Sequence, residues 1–200
     1  PDLQSVDYET FAPSFLAGVA AMALSATGKA AVVEGMAIET VNRFTRGFTA
    51  GVEYGGGEVI GVAVLSDNET GFNNIDRAVQ EAERLFQRCD VIFPVAGASG
   101  AGVIAAAKAV PGRYTVGVDA DQRYMGEAVM IGSVVKYLGQ TVYDVVIKFC
   151  KGIFEQGRVR TGLKDGGTDF LINDLFANQV REPVIRAYQA ALEAEKKDKL

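Results

Sequence analysis

A glycine-rich segment of this sequence has the residue types needed to contact a small polar ligand. Residues 97–102 (GASGAG) follow an apolar run and precede a stretch of small residues. Glycine lets a ligand approach the backbone, and N–H groups at the start of a helix attract an anion or a sugar hydroxyl. The segment lacks the lysine and Ser/Thr of a phosphate loop, and its glycine spacing differs from the dinucleotide fingerprint. We interpret it either as a binding loop or as a plain tight turn.

Four side chains elsewhere are further candidates. Asp119 and Asp121 follow an apolar run, where they could hold a metal, act as an acid–base pair or accept hydrogen bonds from vicinal hydroxyls. A helix N-cap or a surface role is the alternative for one of them. Phe72 lies in a polar loop and either stacks on a planar ring or packs beneath the loop. Lys136 is predicted to lie within a long helix, either solvated or reaching into a cleft.

The composition argues against several classes of function. The 200 residues include no histidine, which removes the usual general base and the commonest metal ligand. No carboxylate cluster accompanies the two aspartates, so no catalytic residue, metal site or cofactor is predicted. The net charge is −5 and no basic block is longer than Lys196-Lys197, which disfavours nucleic acid as a partner.

The apolar residues predict a buried core and no membrane span. The longest apolar run, residues 15–24, is about half as long as the ~20 residues that a bilayer requires. It has neither the positive flank nor the cleavage pattern of a signal peptide. Cys89 and Cys150 each lie beside apolar sequence and are predicted to be buried free thiols, with a disulfide or a reactive thiol as the alternative.

Short β-rich runs alternate with longer segments of helical period from residue 29 onward. Strands are predicted at residues 30–33, 59–65, 90–96, 114–118 and 159–163. Helices are predicted at residues 38–52, 75–86, 103–110 and 131–149, followed by a last helix that contains Pro183 and frays from Glu193. This alternation predicts an α/β fold with a doubly wound parallel sheet covered on both faces.

The carboxyl ends of the predicted strands indicate where a ligand would bind. In sheets of this kind, ligands bind beyond the carboxyl ends of the strands. The segments expected at that edge are residues 34–36, 66–72, 97–100 and 119–121. Topology alone therefore places Phe72, Gly97 and Asp119 near one another.

Six motifs then indicate a family. They are SFLAG at 14–18 with TGK at 27–29 and EGM at 34–36, RFTRGF at 43–48, DVIFPVAG at 90–97, GVDADQ at 117–122, SVVK at 133–136 and GLKDGG at 162–167. In this order, over about residues 11–175, they resemble the basic membrane protein family. Its members are substrate-binding lipoproteins of ABC importers, and characterised members bind purine nucleosides.

The resemblance implies a type I periplasmic-binding-protein-like fold of which this sequence is mostly the second lobe. By that resemblance, residues 1–27 form a hinge segment and a leading helix. Residues 28–125 form the second-lobe ligand-binding domain. Residues 126–200 form a long helix, a returning hinge strand and a C-terminal helix that belong to the first lobe, most of which is absent.

The resemblance also implies a function without catalysis. The protein would capture a purine nucleoside or a related solute by hinge closure and deliver it to an ABC permease. Gly97, Asp119 and Lys136 would hold the ribose hydroxyls, and Phe72 would stack on the base. The protein would lie outside the cytoplasm, lipid-anchored in its full-length precursor.

The sequence departs from the family in two places, and alternatives stay open. The loop of Phe72 differs from the usual Gly-Ser-Phe-Asp form, and the sequence has no first-lobe segment ahead of Ser14. A partner chain or a second copy is one way to supply that lobe. The alternative functions are a receptor or sensor for a sugar or other non-nucleoside ligand, a nucleoside-processing enzyme, and a structural remnant that only associates with a partner chain.

Overall fold

Eight strands and six α-helices lie along residues 3–198, the part of the chain that the computed structural model describes. The strands are β1 (Gln4–Tyr8), β2 (Lys29–Glu34), β3 (Glu58–Val64), β4 (Val91–Val95), β5 (Tyr114–Asp119), β6 (Met130–Lys136), β7 (Gly157–Thr161) and β8 (Thr168–Ile172). The helices are α1 (Phe11–Leu24), α2 (Glu39–Tyr54), α3 (Ile75–Leu85), α4 (Gly100–Ala109), α5 (Leu138–Cys150) and α6 (Ala177–Asp198).

Six of these strands form one sheet in the order β3-β2-β4-β5-β6-β8. The first five run parallel, and β8 pairs antiparallel with β6. From β2 the chain continues to β3 on one side and then to β4 on the other, so the strand order reverses beside β2. Crevices at such a reversal are where ligands bind in open α/β sheets. The predicted α/β fold with a parallel sheet is confirmed.

Helices cover both faces of this sheet because its central strands are apolar on both sides. Every residue of β4 (VIFPV) is buried, and the adjacent residues Ile92 and Phe93 of this strand point to opposite faces of the sheet. Phe93 packs with α1, α2 and α6, whereas Ile92 packs with α3 and α4. A Cβ at Gly51 would overlap the carbonyl oxygen of Phe15, so glycine is required where α1 and α2 cross.

The carboxyl-terminal halves of β4 and β5 are not paired with each other. Their ladder contains only the pairs Val91–Tyr114 and Ile92–Thr115. Pro94 follows and has no N–H to contribute to a ladder. Each strand remains paired on its other side, β4 with β2 and β5 with β6. The carboxyl edge of the sheet, along which the ligand-binding segments are predicted, therefore opens between β4 and β5.

The prediction of one helix over residues 131–149 is wrong in its first part. Residues 130–136 form β6, and the helix α5 begins at Leu138. Apolar runs of this length fit a buried strand and a buried helix equally well by periodicity, and here β-sheet pairing decides. Lys136 is consequently the last residue of a strand, not a residue inside a helix.

Besides β6, two strands, β1 and β8, have no counterpart among the predicted strands. β1 pairs in parallel with β7 in a sheet of its own, and β8 forms one edge of the main sheet. Both β6 and β8 belong to the same sheet as β2–β5, beyond the domain boundary expected at residue 125. The division into residues 1–27, 28–125 and 126–200 otherwise stays a prediction.

Within residues 3–198, no helix combines the length and apolar character of a membrane span.

The last helix and the cysteines also differ from expectation. α6 continues to Asp198, and Glu195 near its end is 8% exposed, so the segment from Glu193 is not frayed. Asp198 forms an ion pair with Arg46 of α2 at 2.7 Å. Cys89 is buried as predicted, but Cys150 is exposed, and both thiols are free.

Candidate functional site

A hollow of about 170 Å³ opens at the carboxyl edge of the sheet. The segments that follow or end the five parallel strands all line it. Val41 comes from the helix after β2 and Phe72 from the loop after β3. Gly97 follows β4, Asp119 ends β5 and Lys136 ends β6. The structure thus brings together all four residues that were predicted from the sequence to bind a ligand.

Asp119 and Lys136 form an ion pair inside this hollow, with Lys136 Nζ 2.7 Å from Asp119 Oδ1. Asp119 pairs with Val135 across adjacent parallel strands, which places Lys136 beside it. The Asp119 side chain is 52% exposed and that of Lys136 is 24% exposed, so both remain accessible to a solute. An ionised carboxylate and an ammonium side by side offer an acceptor and a donor to neighbouring hydroxyl groups.

The backbone of Asp119 fixes where its carboxylate can lie. Asp119 has a φ of 67°, the single positive φ of a non-glycine residue in the described part of the chain. Aspartate and asparagine tolerate this left-handed conformation better than most other side chains. Asp119 ends β5 at the hollow, and the backbone turns tightly there, since the N–H of Ala120 donates to the carbonyl oxygen of Val118 at 2.8 Å.

Phe72 lies half-buried against the walls of the hollow. A Cβ at Gly35 would overlap the Phe72 ring, so the ring lies directly against the backbone that follows β2. A Cβ at Gly97 would be 3.2 Å from the carbonyl oxygen and 3.3 Å from the Cβ of Phe72. Gly97 also has a φ of 55°, which favours glycine. Phe72 therefore packs against the turns that follow β2 and β4 and also lines the hollow. Its stacking on a planar ring stays a prediction.

Ser99 fixes the loop that carries Phe72. Its buried hydroxyl donates to the carbonyl oxygen of Gly71 at 2.7 Å and accepts from the N–H of Asn74 at 2.6 Å. These bonds tie the residues on both sides of Phe72 to the turn that follows β4. The glycine-rich segment therefore holds the aromatic loop in place in addition to lining the hollow through Gly97.

Asp121 does not act with Asp119. Its carboxylate accepts hydrogen bonds from the backbone N–H of Arg123 at 3.1 Å and from the guanidinium of Arg123 at 2.6 Å. The hydrogen bond from the Arg123 side chain lowers the pKa of Asp121 against the opposing effect of burial. Asp121 thus caps a local turn, which is the surface role considered for one of the two aspartates.

Sequence reasoning missed Phe44, which also lines the hollow. Lys136 Nζ lies 4.9 Å from the centroid of the Phe44 ring. The spacing of Phe44 from Val41 on α2 indicates a core position, and the ring is indeed only 3% exposed. Glu34, at the end of β2, is also buried, and its carboxylate accepts a hydrogen bond from the Thr45 hydroxyl. It belongs to the support of the site and does not line the hollow.

A larger hollow of about 310 Å³ lies elsewhere, beside Glu9, Arg160 and Glu195. It lies beside α6 and the ends of β1 and β7, and not at the carboxyl edge of the main sheet, where topology places the ligand site. Across residues 3–198, no group of three or more His, Cys, Asp or Glu side chains is placed to hold a metal ion. The chemistry available at the strand ends is hydrogen bonding, charge pairing and aromatic contact.

Comparison with protein families and individual proteins identifies relatives of the chain. Residues 2–197 match the family described as ABC transporter substrate-binding protein PnrA-like. Basic membrane protein D of Borreliella burgdorferi is 31% identical over 86% of this chain and 51% of its own length. The ABC transporter nucleoside-binding protein BmpA of Lactococcus lactis is 28% identical over 93% of this chain and 58% of its own length. The chain spans about half the length of the relatives it matches.

Solved structures agree with this fold. A solute-binding protein of an ABC transporter system from Aeropyrum pernix has a TM-score of 0.71 at 25% identity, covering 97% of this chain and 64% of its own. A transcriptional activator of the comK gene from Bacillus halodurans has a TM-score of 0.77 at 21% identity, covering 93% of this chain and 64% of its own. These matches confirm a partial periplasmic-binding-protein-like fold. The chain belongs to the PnrA-like basic membrane protein family of ABC transporter substrate-binding proteins, which is a non-catalytic family.

Proposed function

We propose that this chain provides one wall of a solute-binding cleft that captures a purine nucleoside without catalysis. The observation that carries the proposal is the Asp119–Lys136 ion pair in the same hollow as Phe72 and Gly97. The pair suits the vicinal hydroxyls of a ribose, and the aromatic ring suits a planar base. A relative described as a nucleoside-binding protein, BmpA of Lactococcus lactis, adds support for this class of ligand.

The size of the hollow supports a cleft shared with a second lobe. Its volume of about 170 Å³ is below the ~300–1,000 Å³ typical of ligand pockets. A second wall would enlarge the hollow into an enclosed site and would add the contacts that a single lobe lacks. We therefore expect the isolated chain to bind a nucleoside weakly, because part of the contact surface is absent.

Helix α5 is our candidate contact with that second lobe. Five of its apolar residues fall at helical spacing, namely Leu138, Val142, Val145, Val146 and Phe149, and none of the residues of α5 is buried. Val142 is 63% exposed and Phe149 is 67% exposed. Exposed apolar faces of this kind mark interaction surfaces. Because the relatives are about twice as long as the chain, the proposed occupant is the additional lobe of the family, on the same polypeptide or on a partner chain.

The two-stranded sheet of β1 and β7 is our candidate hinge. It is separate from the main sheet, and β7 follows α5 along the chain. Arg43 of α2 lies 3.4 Å from Asp7 of β1 and 3.6 Å from Glu9, which follows β1. Motion of a few residues in such connecting strands is sufficient for domain closure around a ligand.

The proposed biological role follows from the family. Delivery of the solute to an ABC permease and a location outside the cytoplasm, typical of this family, are our proposals for the whole protein. A lipid anchor on the full-length precursor is a further proposal. A sugar in place of a nucleoside is the alternative ligand, and it is distinguished by the experiment below.

The test is an NMR titration of the chain with guanosine, inosine, adenosine and ribose at millimolar concentrations. We expect nucleosides to shift the amide resonances of Phe72, Gly97 and Asp119. Asp119→Asn keeps the shape and the left-handed backbone but removes the charge, and it should weaken binding at least tenfold, a loss of about 1.4 kcal/mol. Asp121→Asn, in the same turn, is the matched control and should bind like the unmodified chain.

Two results would oppose the proposal. Ribose alone binding as tightly as the nucleosides would favour the sugar receptor, since the base would then contribute nothing. If nucleosides at the highest concentration shift none of the amide resonances of Phe72, Gly97 and Asp119, the hollow is not the nucleoside site.

A further inference from the structure

Lys136 is held at the hollow by two partners of different chemistry. Its Nζ is 2.7 Å from Asp119 Oδ1 and 4.9 Å from the centroid of the Phe44 ring. Lysine side chains have flexible four-carbon stems and lose considerable rotamer freedom when they are fixed. The Asp119 side chain is 52% exposed and that of Lys136 is 24% exposed, and an ion pair that water can reach stabilises one side-chain geometry only modestly. The contact with the Phe44 ring is therefore needed, in addition to the ion pair, to explain a fixed position of Lys136.

The ring of Phe44 is itself firmly placed. It is 3% exposed and lies on α2, and it forms an edge-to-face pair with Phe93 with ring centroids 6.3 Å apart and planes at 61°. Phe93 is fully buried in the central strand β4. The ring therefore provides a fixed surface beside which the ammonium of Lys136 lies.

We propose that Phe44 is a positioning residue that selects ligands carrying adjacent hydroxyl groups. An ammonium has three N–H donors, and Asp119 Oδ1 engages it from one side. The face of an aromatic ring attracts the cation electrostatically without competing as a strong acceptor. The ring thus holds the charge at the hollow and leaves N–H donors for a ligand hydroxyl whose neighbour donates to Asp119.

The identity of the ligand in this inference rests on the proposed function, whereas the positioning of Lys136 does not. The experiment therefore begins with the ligand-free chain. It compares Phe44→Leu with Phe48→Leu, a matched control because Phe48 also lies on α2, is also buried and also contacts Phe93 at 5.0 Å. The contact with Lys136 belongs to Phe44.

The first measurement is the NMR order parameter of the Lys136 ε-carbon. We expect it to fall in Phe44→Leu toward the value of an exposed lysine such as Lys148 and to remain unchanged in Phe48→Leu. Phe44→Tyr keeps a ring and is expected to keep Lys136 ordered. An order parameter that is unchanged in Phe44→Leu would overturn the proposal, since Asp119 alone would then be sufficient.

The second measurement is the affinity ratio between guanosine and 2′,3′-dideoxyguanosine. Phe44→Leu should reduce the preference for guanosine about tenfold, which corresponds to about 1.4 kcal/mol, and Phe48→Leu should leave the ratio unchanged. Equal weakening of both ligands by Phe44→Leu would overturn the selection of adjacent hydroxyls. If the unmodified chain binds neither compound, the nucleoside proposal fails, and the order parameter alone decides whether Phe44 positions Lys136.

Discussion

The carboxylate of Glu195 accepts a hydrogen bond at 3.0 Å from the backbone N–H of Ala12. Ala12 lies in the first turn of α1, which contains no acidic residue, and Thr10 at its N-cap makes no side-chain capping bond. Glu195 comes from the end of α6 and supplies a negative charge where the helix dipole favours one. The first and last helices of the chain are thereby joined through a capping interaction.

Replacing Glu195 by alanine should lower the free energy of unfolding by about 0.5–2 kcal/mol, the range of helix-capping losses. The loss arises because an N–H group of α1 and its dipole lose a buried acceptor. Glu193→Ala, two residues earlier on the same helix but exposed, is the matched control. Denaturant unfolding of both variants checks the prediction, and equal effects of the two substitutions would contradict it.

The candidate site could be predicted because parallel topology determines which segments meet. Phe72, Gly97 and Asp119 each follow or end a strand, and strands running in one direction bring such residues to one edge. Lys136 is predicted within a helix, but it ends β6 and so reaches the same edge as the other three residues. Phe44 was missed because a phenylalanine at helical spacing indicates core packing, and contact with a lysine leaves no pattern in the sequence.

Other features depended on contacts between distant segments. β1 (QSVDY) is short and mostly polar, and it becomes a strand only by pairing with β7 far along the chain. The charged sequence at the end of α6 predicts a solvated segment. In the structure, however, Glu195 accepts a hydrogen bond from α1 and Asp198 forms an ion pair with α2. Helix and strand propensities depend on the local sequence and do not indicate partners far along the chain.

The ion pairs of Asp7 predict a dependence of stability on pH. Arg158 lies 2.8 Å and Arg43 lies 3.4 Å from the Asp7 carboxylate. Burial raises the pKa of Asp7, but the hydrogen bond from Arg158 and the charge of Arg43 outweigh it, so the net pKa is lowered. Because the folded pKa is below the unfolded one, the stabilisation is present above about pH 4 and is lost as the pH falls through the folded pKa.

The measurement is denaturant unfolding of the unmodified chain and of Asp7→Asn between pH 6 and pH 2.5. The difference in unfolding free energy should be largest at pH 6 and should shrink as the pH decreases. In an Arg158→Gln background the same comparison should depend less on pH. A difference that grows toward low pH would show that the sign of the pKa shift is wrong.

The two cysteines should differ sharply in reactivity. Cys89 is 1% exposed, and burial raises its pKa to about 12, so thiolate is scarce at neutral pH. Cys150 is exposed at the end of α5. Titration with a thiol reagent such as DTNB should modify one thiol rapidly and the second only after unfolding. Cys150→Ser should abolish the rapid reaction and Cys89→Ser should preserve it, and the reverse pattern would contradict the placement of the two residues.

The exposed face of α5 should contribute little to the stability of this chain and much to its surface properties. Val142 is 63% exposed and Val146 is 51% exposed. Changing both to lysine should alter the free energy of unfolding by no more than about 0.5 kcal/mol per site. The same changes should remove most of the fluorescence of 1-anilinonaphthalene-8-sulfonate bound to the folded chain, because they interrupt a continuous apolar surface.

Val180→Lys on α6 is the matched control, since Val180 is fully buried. Introducing an unpaired charge there should destabilise the fold by several kcal/mol. If Val142→Lys and Val146→Lys destabilised the chain as strongly as Val180→Lys, the α5 face would already be covered within this chain. It would then not be available to a second lobe, and the proposed shared cleft would need a different contact surface.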